Sequence, residues 1–260
     1  MSAPRSDLPI IQLDPQPRSR RDRYGALLYL GAGGLVVLVC LLGWFGWNLW
    51  TLRGFFSNLY QLHNSAVAEP IRIQAAYAIA HDSRVPQQQY WNDCLDKSLP
   101  RLARYILAES LTADAMASDP KTYADKVAYS EGWPDWLRYL LVRPLAYGAE
   151  VGITFPEKPL RALTQHADPA VRLWSNYVLA ASVGDTDAIR ALANEASGKG
   201  PFQRLASDLQ SALKAKDAER TYWLDLATRW LRIHHPQAMT LWKGWEEQGG
   251  HLVQKAEAGP

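Results

Sequence analysis

One stretch constrains this chain more than any other. From Gly25 to Leu52 there are 28 consecutive residues without a charged side chain. An α-helix of about 20 apolar residues covers the hydrocarbon core of a bilayer, so this run is long enough to span with tilt to spare. A helix also satisfies its own backbone hydrogen bonds, which is the condition that hydrocarbon imposes on a single crossing segment. The expected transmembrane segment therefore occupies residues 24–52.

The flanks orient it. Arg5, Arg18, Arg20, Arg21 and Arg23 precede the run, while behind it only Arg53 is close and the next basic residue is Arg72. An excess of arginine on one side predicts a cytoplasmic N-terminus, with residues 53–260 on the far side of an inner or plasma membrane. A cleaved signal peptide competes with this reading, but its apolar core would be about half as long. The one A-x-A-like site, Ala66-Val67-Ala68, lies 14 residues beyond Leu52. The chain reads as an uncleaved signal-anchor. Tyr24 and Tyr29 fall near the inner interface and Trp44, Trp47 and Trp50 near the outer one, as an aromatic belt requires. No G-x-x-x-G spacing marks a helix-dimer face, so the sequence leaves the oligomeric state open.

Residues 1–23, rich in Pro, Arg and Ser, read as a disordered cytoplasmic tail. They hold five arginines against three aspartates, and the remaining 237 residues balance at 23 basic and 23 acidic. Phosphate backbones call for a basic face, so this neutral remainder offers no case for nucleic acid. The expected partners are membrane lipid and other membrane or envelope proteins. Cys40 lies within the span and Cys94 well beyond it, which rules out an intrachain bridge on geometry.

After the span, Phe55, Phe56, Leu59 and Leu62 keep a helical spacing, and residues 53–68 read as a helical stalk. Apolar residues then recur at three and four nearly throughout, and long alternating runs are missing, so the expected fold is all-α. The first part, 69–149, is irregular: helices open at Pro70, near Gln87, at Pro100 and at Asp119-Pro120. A strongly apolar segment follows from Pro134, which Pro144 should kink or end. In the second part, 150–248, helices are predicted at 157–166, 169–182, 185–197, 201–216, 217–234 and 236–248, each bounded by a breaker or cap. Residues 249–260 read as a flexible C-terminal tail. Alternate helices start 28 to 35 residues apart, a period that suggests stacked antiparallel pairs.

Asp168-Pro169-Ala170-Val171-Arg172, followed by Tyr177, Val178 and Leu179, resembles the helix start of HEAT-like repeats. Glu69-Pro70-Ile71-Arg72, followed by Tyr77, Ala78 and Ile79, echoes it about 100 positions earlier. The resemblance covers some 25 residues. It implies an α-solenoid used for protein contacts, with Asp168 capping the second helix of a pair and Arg172 part of the packing between repeats.

Catalytic and metal patterns are missing: there is no H-E-x-x-H, G-x-S-x-G, Walker-type loop or C-x-x-C pair. No cofactor and no metal is expected. His234-His235 falls at a predicted helix C-terminus, where imidazolium is mildly favoured, and His63, His81, His166 and His251 stand alone. Glu109-Ser110 resembles the start of lytic transglycosylase motifs, but the Gly-Leu-Met-Gln segment of that family does not follow. Eight tryptophans lie beyond the anchor, and Trp133 with Trp136, at a helix start, is the expected exposed pair for a partner. The leading expectation is a single-pass membrane-anchored scaffold or adaptor in an envelope complex. The alternatives are a glycan-acting hydrolase or lyase using Glu109 or Glu131, and a membrane sensor signalling through its tail.

Overall fold

Helix α1, Arg20–His63, carries the apolar run. The computed structural model describes residues 20–255 except Ser83 and Ala117, with side chains from Gly33 onward other than Thr51. The expected cytoplasmic tail with Arg18, and residues 256–260, lie outside the described residues, as do the side chains of Arg20, Arg21, Arg23, Tyr24 and Tyr29. The chain divides into two compact units that meet between Gly54 and Phe55.

In the first unit, the large apolar side chains from Leu35 to Trp50 are 52–72% exposed. Within Gly33–His63 the most apolar 18-residue window has a mean hydropathy of 1.8, and none of that window is buried. It is long and apolar enough to cross a membrane. A continuous apolar surface of this kind far exceeds what a water-facing monomer tolerates.

The second unit starts inside α1. Phe55 and Leu59 pack partly against the core, and Leu62 is fully buried. The expected stalk is thus not free-standing at its far end. Buried Arg72 explains how: its Nε donates to the Leu62 carbonyl at 2.9 Å and its Nη2 to the Ser98 carbonyl at 3.0 Å. One guanidinium thereby satisfies an orphan carbonyl at the C-terminal end of α1.

Eleven further helices follow among the described residues. They are α2 (Glu69–Ala80), α3 (Gln87–Leu95), α4 (Arg101–Glu109), α5 (Pro120–Tyr129), α6 (Asp135–Glu150), α7 (Glu157–Thr164), α8 (Pro169–Val183), α9 (Thr186–Ser197), α10 (Gln203–Lys214), α11 (Asp217–His234) and α12 (Pro236–Trp242). From α7 to α11 each helix packs on the next, joined by short turns. Central α6 packs against α4, α5 and α8, which merges the expected subdomains 69–149 and 150–248 into one unit.

The caps read from sequence form as expected at several boundaries. Asp119 accepts from Thr122 N, Asp168 from Ala170 N and Val171 N, and Asp185 from Ala188 N. Gly184 closes α8 in the left-handed conformation, at φ 68° and ψ 30°. Of the two outcomes expected at Pro144, the ending of α6 does not occur, since the helix runs through it to Glu150. Eleven buried residues of that helix hold it in place, and this packing outweighs one lost backbone hydrogen bond. The predicted helix 236–248 stops at Trp242, and the supposed tail contains structure. Trp245–Gln248 (β1) pairs antiparallel with His251–Gln254 (β2), and Leu252 is 3% exposed. Gly249 and Gly250, at φ 55° and 81°, supply the two positive angles of a tight hairpin turn, which overrides the helical preference of Glu246 to Gln248.

Candidate functional site

Helix α11 has two faces. Leu224, Ala227 and Leu231 are buried, while Asp225, Thr228, Arg229 and Arg232 recur at i, i+3, i+4 and i+7 on another side. That polar stripe lines a cavity of about 210 Å3 together with Glu109 at the end of α4 and Arg143 on α6. Tyr77 and His81 connect this chamber to a groove of about 610 Å3 beside β2. Arg232 and Trp242 connect it to a second groove of about 730 Å3 beside β1. The three share these lining residues, and the two grooves flank the hairpin.

Arg232 is the hub. Its Nη2 donates to Glu109 Oε2 at 2.7 Å and its Nε to Glu109 Oε1 at 3.3 Å. Its Nη1 donates to Glu247 Oε1 at 2.6 Å, and the guanidinium lies 4.3 Å from the centre of the Trp242 ring. Burial would lower the Arg232 pKa, but the two carboxylates win and raise it. This fork ties α4, α11 and the hairpin together, which is the bidentate geometry that arginine provides and lysine does not.

Arg143 makes contacts of another kind. It donates to the Glu109 backbone carbonyl, lies over the Tyr147 ring at 5.2 Å, and leaves its Nε buried without a partner. Tyr147 in turn donates to Asp225 Oδ1 at 2.6 Å, and burial pushes its hydroxyl up to about 12. Next to it, Glu150 is half-buried at the end of α6; desolvation raises its carboxyl to about 7, against the pull of Arg220. Exposed Arg229 forms no ion pair among the described residues.

The expected catalytic carboxylates separate here. Glu131 is exposed and lines none of these cavities, so it lacks the surroundings a general acid needs. Glu109 does line the chamber, and both its oxygens accept hydrogen bonds from Arg232, which commits it to a structural ion pair. Among the described residues, no group of three His, Cys, Asp or Glu side chains could hold a metal ion.

The other singled-out residues fall as follows. Trp136 is 2% exposed and belongs to the core, which corrects its expected exposure. At the start of α6 its ring packs 5.6 Å from Tyr105 and under the Arg104 guanidinium at 5.7 Å. Trp133 is half-buried, sandwiched by Arg138 at 5.6 Å and Trp91 at 6.1 Å. The pair is therefore not a joint surface for a partner. Trp44, Trp47 and Trp50 are 67%, 69% and 72% exposed. Cys94 is fully buried and its thiol is pushed up to about 12 by burial, the profile of an inert packing residue.

His235 was missed as a buried group. It closes α11 at 2% exposure, its Nε2 lies 2.8 Å from Asp168 Oδ2, and its ring stacks 4.9 Å from Tyr139. Asp168 therefore caps α8 and anchors the end of α11 at once. Despite burial, its carboxyl is held below the usual range by His235 and the two capping amides. Arg172 donates to the carbonyls of His166 and Ala167 and so braces the turn between α7 and α8.

Comparison with protein-family models, with curated proteins and with solved structures gives no match for this chain.

Proposed function

We propose that this protein is a single-pass membrane protein whose second unit is a non-catalytic helical module that holds protein partners in an envelope complex. The observation that carries this reading is the cleft around the hairpin. It consists of three neighbouring cavities with shared lining residues, and its one candidate catalytic carboxylate, Glu109, is committed to Arg232. Such a surface suits recognition better than reaction. The apolar segment of α1 with arginines ahead of it supports a cytoplasmic N-terminus and an extracytoplasmic domain. Consecutive packed helices from α7 to α11, together with the Asp168-Pro169 start, support kinship with HEAT-like scaffolds.

The test is purification of the full chain from detergent-extracted membranes. A protein recovered in fixed stoichiometry, and lost when the hairpin 244–255 is replaced by a short linker, is the expected result. Recovery of the chain alone under gentle detergent counts against the reading. Solubilisation of cell-wall glycan by the purified chain, abolished in Glu109→Gln, would replace it with the enzymatic one.

A further inference from the structure

We infer that the groove between α11–α12 and the free edge of β1 takes an extended, acidic segment of a partner protein, which adds to the hairpin as a third strand. This rests on the interaction-module reading above and specifies its surface and the chemistry of its ligand.

Strand register supplies the first argument. A two-residue turn closes on a hydrogen-bonded pair, here Gln248 with His251. Lys255 N donates to the Gly244 carbonyl at 2.7 Å, which fixes the same alternation at the other end. Glu246 and Val253 therefore carry the ladder between, while Trp245 and Glu247 direct their N–H and C=O groups away from β2. Neither makes a backbone hydrogen bond outside the hairpin among the described residues. No proline or bulge blunts this edge. Unpaired strand groups facing a groove are what strand addition uses for affinity.

The facing wall supplies the second. Ile233 and Met239 are 60% and 52% exposed, and with Trp242 they give a groove of about 730 Å3 an apolar side. Alternate side chains of an added strand would rest on it.

Charge selects the occupant. Along the groove and the adjoining chamber, Glu109 and Glu247 share Arg232, and Glu246 pairs with Lys255 at 3.6 Å. Arg143, Arg229 and Lys243 have no carboxylate partner among the described residues, against Asp225 and the second carboxylate that Arg232 leaves unneutralised. The balance is one positive charge, which favours an acidic ligand. A second copy of this hairpin is disfavoured in the central antiparallel register, which sets Glu246 against Glu246 of the copy.

The experiment places a photo-crosslinking amino acid at Met239 of the full chain in native membranes, with a second at Ile189 on α9 as reference, and maps adducts by mass spectrometry. Met239 should capture one protein segment rich in Asp, Glu and apolar residues. Glu247→Pro removes an outward N–H without breaking the ladder and should lower adduct yield at least fivefold. Glu247→Gln keeps that N–H and should lose much less. Arg229→Glu, at a residue whose side chain makes no hydrogen bond among the described residues, should also cut the yield at least fivefold, with near-ultraviolet circular dichroism confirming an intact fold. Adducts to lipid alone, to a second copy or to a basic segment overturn the inference, as does indifference to Glu247→Pro. A stoichiometric partner captured at Ile189 and not at Met239 overturns the inference but keeps the interaction module. Silence at both positions removes both.

Discussion

The segment Gly33–Gly54 and the unit from Phe55 to Gln254 use the same apolar residue types to opposite ends. In the first, Leu, Val, Phe and Trp side chains from Leu35 to Trp50 stay 52–72% exposed. In the second, side chains such as Leu140, Trp174 and Leu231 lie at 0–1% exposure. At about 25 cal/mol per Å2 of apolar area, the second arrangement gains stability in water by burial, whereas the first leaves its apolar area uncovered. Hydrophobicity alone therefore says little. What separates the regions is whether polar residues recur often enough to give each helix a wet side, and in the first they do not.

The largest effect should come from breaking that difference within the span. Leu38→Arg with Leu42→Arg costs roughly 6 kcal/mol of insertion free energy on translocon scales. On the proposed membrane-spanning reading, the chain should leave the carbonate-washed membrane fraction, while the near-ultraviolet circular dichroism of the second unit stays unchanged. The converse is Trp174→Ala in the core of α8, which should cost about 3–5 kcal/mol in chemical denaturation and leave membrane retention as it was. If either substitution produced both effects, the two regions would not be the separate units described here.

Smaller substitutions sharpen the comparison inside the folded unit. Asp168→Ala removes an N-cap and leaves His235 buried without its carboxylate, at a cost of about 2 kcal/mol in denaturant titration. Because the Asp168 carboxyl is held below its ordinary value, its contribution is present above the unfolded pKa near 3.9 and lost as pH falls through the folded one. The difference between wild type and variant should therefore shrink in acid.

Glu150 has the opposite sign. Its carboxyl is raised to about 7 by desolvation, so the folded state holds a proton that the unfolded state releases above about 4.5. Stability should fall as pH rises from 4.5 to 7. Glu150→Gln should gain about 1 kcal/mol at pH 8 after allowance for solvent screening of a half-exposed group, and nothing at pH 4. Equal melting shifts at both pH values would show that desolvation of this carboxylate is not the cause.

Much of the helical framework was legible because its signals are local. Asp119, Asp168 and Asp185 cap helices within three residues of themselves, and Gly184 ends one by its own backbone angle. The hairpin was not read: a helix was expected over 236–248 and a flexible tail over 249–260, because strands of four residues give no periodicity beside the Gly249-Gly250 turn. The cleft was not legible. Glu109 and Arg232 are 123 positions apart, and Tyr147 and Asp225 are 78 apart. The polar stripe on α11 was the one available clue, and it is indistinguishable in sequence from an ordinary solvated face. Trp136 misled for a related reason, since a position in the first turn of a helix says nothing of which neighbour covers it.

The sequence by itself determined that this chain contains an apolar helix long enough to cross a membrane, and that helices follow it. Both depend on composition and on contacts a few residues apart. Only the tertiary structure decided that α6 continues through Pro144, that Trp136 is buried, and that Arg232 binds both Glu109 and Glu247 beside an open strand edge. Those outcomes turn on which distant surfaces meet, and a local pattern carries no record of its partner's position.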